Sequence, residues 1–240
     1  MDTSNWRTLL NDDKNFDQNV PYDIKKIEEK LTIASKDVNK LNPYYTLSAI
    51  YDFTKFFKQI SNALSLGFED ITKKVNQMRR KFNEYKDADN IQQLLGKEIE
   101  LDIHRLNGQD NAKMGHKDDK YKNYHSACRI FLRLLWFMEY LITVFKKILD
   151  GKENSVKKIL GGSYDEILAP RHTWLVRKAV GAAMLFSVSG SRDDIVKICF
   201  NVDGNSKEGK EYILKITNLL EKIWNGGIEF YKQCDMLDIA

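Results

Sequence analysis

Arg129 and Arg133 stand four residues apart at the head of the chain's most apolar segment, and His125 precedes them at the same spacing. At helical pitch, residues four apart share a face, so the two guanidinium groups point the same way. From Ile130 to Leu149 the charged residues are Arg133, Glu139, Lys146 and Lys147; nearly all the rest are Leu, Ile, Phe, Met, Val, Trp or Tyr. A helix apolar nearly all round is buried, and a buried arginine needs an anionic partner. That anion is either a carboxylate of the protein, with Glu98, Glu100 and Asp102 as candidates, or a group on a ligand. The planar guanidinium fork matches phosphate or carboxylate oxygens, so the chemistry in view is anion capture.

Two further sets carry polar chemistry. Asp70 and Lys74 are spaced to pair on one helix face; alone, such a pair is an ordinary surface contact of a few tenths of a kcal/mol. His172-Thr173-Trp174 follows Pro170-Arg171 and leads into Leu175-Val176-Arg177-Lys178. His172 alone reads as a core or capping histidine, and Trp174 alone reads as packing. His125 and Cys128 lie three apart with no second pair at ligand spacing, so no metal site is expected. The chain has no GxxxxGK[ST], GxGxxG, HExxH, GxSxG or calcium-loop pattern. Nothing assembles a nucleophile, a base and an orienting group. The expectation is a protein without catalytic residues and without a cofactor.

Bulk properties exclude more. A formal charge of +4, from 38 Lys+Arg against 34 Asp+Glu, suits an acidic membrane surface but is too weak to argue for nucleic acid. The three cysteines form no CxxC pair, which reads as reduced thiols in a cytoplasmic protein. The start, Met1-Asp2-Thr3-Ser4-Asn5-Trp6, is not a secretory signal, and no run approaches the roughly 20 apolar residues that span a bilayer.

Three prolines and 13 glycines in 240 residues favour long helices to position these groups. Residues 1–19 read as a loose polar extension. Helical periodicity then predicts an amphipathic run from Ile24 to Leu41, ended by Asn42-Pro43, and runs from Leu47 to Leu66 and Phe68 to Tyr85, separated by Gly67. A helix over 90–106 and a solvated loop over 107–122, carrying Lys113, Lys117 and Lys120, precede the buried helix at 123–150, which Asp150-Gly151 stops. Short helices follow at 155–160, before Gly161-Gly162, and at 163–169, perturbed by Pro170. His172 to Val188 carries a second strongly apolar face. Helices at 193–200 and 208–235 complete the chain, the last weakened by Gly226-Gly227. No segment alternates like a strand and no fixed repeat occurs. The fold expected is all-α, seven to nine helices in two packed layers, as one domain over 1–240.

Taken in order, Asp70 and Lys74, Cys128-Arg129 one turn before Leu132-Arg133, and Tyr164…His172-x-Trp174-Leu-Val-Arg177 resemble the glycolipid transfer protein superfamily. The resemblance runs from about Leu47 to the C-terminus. It implies a two-layer all-α sandwich that sheathes lipid chains between its layers and moves sphingolipids between membranes without a cofactor. Glycolipid-binding members carry Asn four after the Asp, Lys seven after it, and Trp at the position of Arg133. Here those positions hold Lys74, Gln77 and Arg133. The set resembles the ceramide-1-phosphate branch instead. The resemblance implies Asp70 on the amide and hydroxyl of the sphingoid base, His172 on the ceramide amide, Lys74, Arg129 and Arg133 on the phosphate, and Trp174 at a membrane-facing rim. The implied partners are a sphingolipid and, transiently, a membrane surface. A glycosylceramide carrier, or a helical interaction module that has lost lipid exchange, remain the alternatives at this level. The sequence leaves oligomeric state open.

Overall fold

A computed structural model describes residues 5–108, 111, 115 and 119–239, with the backbone alone at 63, 65, 66 and 185–187. Its α-helices are α1 (Trp6–Asn11), α2 (Ile24–Ala34), α3 (Pro43–Ile60), α4 (Asn62–Glu84), α5 (Ile91–Glu100), α6 (Ala127–Asp150), α7 (Val156–Ile167), α8 (Trp174–Ser187), α9 (Arg192–Phe200) and α10 (Lys207–Gln233). Among the described residues, strand-like pairing is limited to two isolated bridges, Asn107–His125 and Ser155–Ser191. The all-α expectation holds; among the described residues the α-helices number ten rather than seven to nine.

Two helices organise the packing. α3 lies against α1, α2, α4 and α9, and α6 lies against α4, α5, α7 and α10. The two groups meet through rings: Phe53 on Phe145 at 5.9 Å and Phe57 on Phe137 at 6.0 Å between centroids. α6 is buried along its length because apolar residues occupy nearly every face, as its composition requires. Ser126 caps it by accepting from the Arg129 N–H at 3.0 Å, and Gly151, at φ 69°, closes its far end in the left-handed conformation that glycine adopts without strain.

Several boundaries differ from the sequence expectation. α4 runs through Gly67, and the break falls at Ser61, whose backbone is extended at φ −166° and ψ 136°. α7 likewise runs through Gly161-Gly162 and absorbs the two short helices expected there. A glycine lowers helix propensity by about 1 kcal/mol but removes no hydrogen bond, so flanking contacts override it. Asn42-Pro43 opens a helix rather than ending one: Asn42 accepts from the Tyr45 N–H at 3.3 Å, and Pro43 takes the first helical position. The helix expected over 90–106 ends at Glu100, and Asp102 turns the chain at φ 54°.

The N-terminal segment is not loose where it is described. Trp6, Leu10 and Phe16 join the core, Trp6 edge-on to Phe82 at 5.6 Å and Phe16 to Tyr51 at 5.4 Å. Their spacing among Asn and Asp hid them, and residues 1–4 lie outside the described residues. The segment after Leu106 is more than solvated loop: Asn111 is fully buried, accepting from the Asn107 and Gly108 N–H groups and donating to the Tyr124 carbonyl at 2.9 Å. Lys113 and Lys117 lie outside the described residues. Gly226-Gly227 does not weaken α10. A Cβ at Gly226 would come within 2.6 Å of the Val38 carbonyl oxygen, so the glycine permits a close approach.

Candidate anion-binding site

The head of α6 is fastened before its cations are reached. Glu98 on α5, with no exposed surface, accepts from the Ala127 N–H at 2.8 Å, the Cys128 N–H at 3.1 Å and the Tyr124 hydroxyl at 2.6 Å. These donors would otherwise be unsatisfied at a buried helix start, where a carboxylate also complements the helix dipole. Burial pushes the Glu98 carboxyl up, against the opposing pull of those bonds. Glu98 is therefore no partner for the arginines, and its capping role had no sequence signal beyond an acidic residue on the preceding helix.

Among the described residues, neither Arg129 nor Arg133 has a carboxylate within ion-pair distance, and neither Glu100 nor Asp102 supplies one. Burial, then the charges of Arg133 and Arg105, hold the Arg129 guanidinium below its ordinary value. Lys74, buried on α4, leans to Asp70, whose carboxylate is 69% exposed. Burial depresses the Lys74 ammonium; the Asp70 bond opposes this, and Arg133 adds to it. The sequence-predicted Asp70–Lys74 pair thus forms, and it lies within electrostatic reach of α6.

His172 stands just before α8, in extended backbone at φ −109°, after a 3-10 turn at Ala169–Arg171. Arg171 holds that turn to α6 by a 2.9 Å bond to Glu139, with its guanidinium 4.9 Å above the Trp136 ring. The buried Tyr164 on α7 bonds His172 Nδ1 through its hydroxyl at 2.9 Å. Burial first, then Lys74 and Arg133, lower the His172 imidazole, while Asp70 raises it. One site therefore gathers α4, α6 and the α7–α8 corner, bringing Asp70, Lys74, Arg133 and His172 together, with Arg129 one turn upstream on α6. Tyr164 and the Arg171–Glu139 pair fix the corner; a partner as distant in the chain as Glu139 leaves no trace in local spacing.

Trp174 is not core: it is 64% exposed, and Leu175 beside it is 71% exposed. The first turn of α8 thus presents apolar surface outward. Lys178 lies 5.7 Å over the indole face. No helix among the described residues is long and apolar enough to cross a membrane, and none of their acidic, His and Cys side chains gather in threes as metal ligands would.

An array of cations short of carboxylates, beside one exposed carboxylate and an imidazole, can receive an anion of about two charges together with an adjoining amide. A model of the glycolipid transfer protein family matches residues 41–199. Over 166 residues the chain is 24% identical to a ceramide-1-phosphate transfer protein of Danio rerio, covering 68% of this chain and 73% of that protein. The fold is similar to that of human ceramide-1-phosphate transfer protein in complex with 2:0 ceramide-1-phosphate, with a TM-score of 0.75 at 15% identity over 92% of this chain and 100% of the other. It is also similar to a fungal glycolipid transfer protein, with a TM-score of 0.60 at 21% identity over 90% and 92% of the two chains.

Proposed function

The chain belongs to the glycolipid transfer protein family, and on that premise we propose that it carries a phosphate-headed sphingolipid, ceramide-1-phosphate, between membranes by non-covalent capture. The observation that carries this reading is the missing counter-charge: Arg129 and Arg133 have no acidic partner among the described residues. Cations held this way raise the energy of the empty protein and lower it again when a dianion arrives. Lys74 transfers from Asp70 to the phosphate, and the freed carboxylate accepts from the sphingoid amide and hydroxyl. His172, oriented by Tyr164, meets the ceramide amide. A buried amide left unpaired costs about 1–3 kcal/mol, so this pairing is needed as much as the phosphate contact.

Trp174, Leu175 and Lys178 would form the rim that touches the bilayer, apolar side chains entering the headgroup boundary with a cation beside them. The whole chain then acts as one lipid-transfer domain in the cytoplasm, meeting membranes transiently. Arg133 stands where a sugar-stacking Trp would otherwise serve a glycolipid, which disfavours the glycosylceramide reading.

Transfer between vesicles, measured side by side with ceramide-1-phosphate and galactosylceramide, tests the proposal. The wild type should move the phosphate-headed lipid and leave the sugar-headed one. Arg133→Leu should lose about fifty-fold in the first, the worth of a desolvated charge-assisted contact, with unchanged far-ultraviolet circular dichroism. Equal transfer of both lipids, or normal transfer by the variant, overturns it.

A further inference from the structure

His125 is not among the groups expected to hold the head group, yet the fold fixes it at the same mouth. It lies one residue before Ser126, the cap of α6, and so one turn upstream of Arg129 and two of Arg133. Its backbone bridges to Asn107, flanked by the Gly108 N–H to Tyr124 carbonyl bond at 2.9 Å and the Ser126 N–H to Leu106 carbonyl bond at 3.0 Å. The buried Asn111 side chain ties the same turn together. The imidazole rests on Gly108, at φ 93°, where a Cβ would come within 2.7 Å of its Cε1. The ring is thus seated on backbone, while its side chain faces solvent and makes no hydrogen bond among the described residues.

The four charges that weigh most on it share one sign. Burial first, then Arg133, Lys81, Arg129 and Lys74, depress this imidazole. From α4 come Lys74, already paired with Asp70, and Lys81, paired with Glu84 at 3.2 Å. From α6 come Arg129 and Arg133, and Cys128 is turned to the Leu95 carbonyl. From α5, Glu98 is spent on the helix amides. A seated imidazole surrounded by cations binds its proton less readily when the site is empty and more readily once an anion cancels them.

We infer that His125 is a further head-group residue, one that takes up a proton when a phosphate monoester enters the site and donates a charge-assisted hydrogen bond to it. This rests on the function proposed above and adds its regulation: capture tightens as pH falls toward 6, and release is favoured where pH is higher.

The test is calorimetric titration of the full chain with short-chain ceramide-1-phosphate in buffers of differing ionisation enthalpy, across pH 5.5–8, for wild type, His125→Gln and His125→Lys. The phosphate's own second ionisation, near 6, and His172 contribute equally to all three proteins, so differences between them report His125. The wild type should take up more protons than His125→Gln near pH 6.5. It should bind about tenfold tighter than that variant at pH 6 and within about twofold at pH 8. His125→Lys should restore affinity while leaving the lower proton uptake of the Gln variant. Equal proton uptake by wild type and His125→Gln overturns the inference, even where both bind well. A wild type that binds the lipid at no pH overturns the function proposed above, so the two failures are distinguishable.

Discussion

At the scale of the residue, the site sets stability against function. Arg129 and Arg133 gain no acidic partner among the described residues, and Arg133 depresses Lys74, His125 and His172 at once. Removing it relieves repulsion rather than breaking a bond. Arg133→Leu should therefore melt about 1–2 °C above the wild type, a change of about 0.5 kcal/mol after allowance for solvent screening. The pH dependence points the same way. His104, His125 and His172 are all held below the ordinary histidine value, burial being the largest cause in each. The unfolded chain then binds protons more readily, so stability is present above about pH 6.5 and is lost as pH falls through that range. In Arg133→Leu the loss should be shallower, since Arg133 contributes to two of the three depressions. Calorimetric melts of ligand-free protein between pH 5 and 8 check both points; a variant that melts several degrees lower would make Arg133 structural.

At the scale of the element, α6 sets the site, and what holds α6 comes mostly from elsewhere. Glu98→Ala would strand the Ala127 and Cys128 N–H groups and the Tyr124 hydroxyl in a buried place, costing about 2–4 kcal/mol. Hydrogen exchange should quicken over the first turn of α6, and ceramide-1-phosphate should bind more weakly because Arg129 sits on that turn. Unchanged exchange there would show another cap. The contrast explains what the sequence made legible. α6 announces itself by composition and by its Gly151 stop, both local properties. The pairs Asp70–Lys74 and Arg129–Arg133 were also legible, because residues four apart on a helix need no tertiary knowledge, whereas His172 joined them only through the family resemblance. Glu98 and the Arg171–Glu139 pair act across tens of residues of chain, and no periodicity carries that. Gly67 and Gly161-Gly162 misled for the complementary reason: a weak local preference was read as a break, and tertiary contacts of α4 and α7 overruled it. Trp6, Leu10 and Phe16 are too few and too spread among polar neighbours to show a face until α3 and α4 supply one.

At the scale of the molecule, a carrier must replace the bilayer for its cargo. A chain of about 16 methylenes loses roughly 13 kcal/mol of apolar burial on leaving a membrane, at about 0.8 kcal/mol each. In this structure the seam between α3, α4 and α6 is already filled: Phe57 stacks on Phe68 at 3.8 Å, and both lie near Phe137 and Tyr140 at 5.5–6.1 Å. Two hollows lie elsewhere. One, of about 400 Å³, is beside Arg79 and Asn83, and the other, of about 420 Å³, lies along α10 at Leu214 and Lys222. Lipid chains that enter beneath the head-group site must therefore part these rings, and ring packing is exchanged for methylene packing. Phe68, with its ring on the α4 side of the stack, is the side chain whose loss separates the two contributions. Phe68→Ala should destabilise the empty protein by about 3 kcal/mol, as expected for a buried ring truncated to a methyl. The same variant should take up a fluorescent long-chain ceramide-1-phosphate faster, since part of the ring layer has already gone. Urea melts measure the first and stopped-flow mixing with labelled vesicles the second. A variant equally destabilised but slower to load would mean that the rings guide the chains instead of yielding to them.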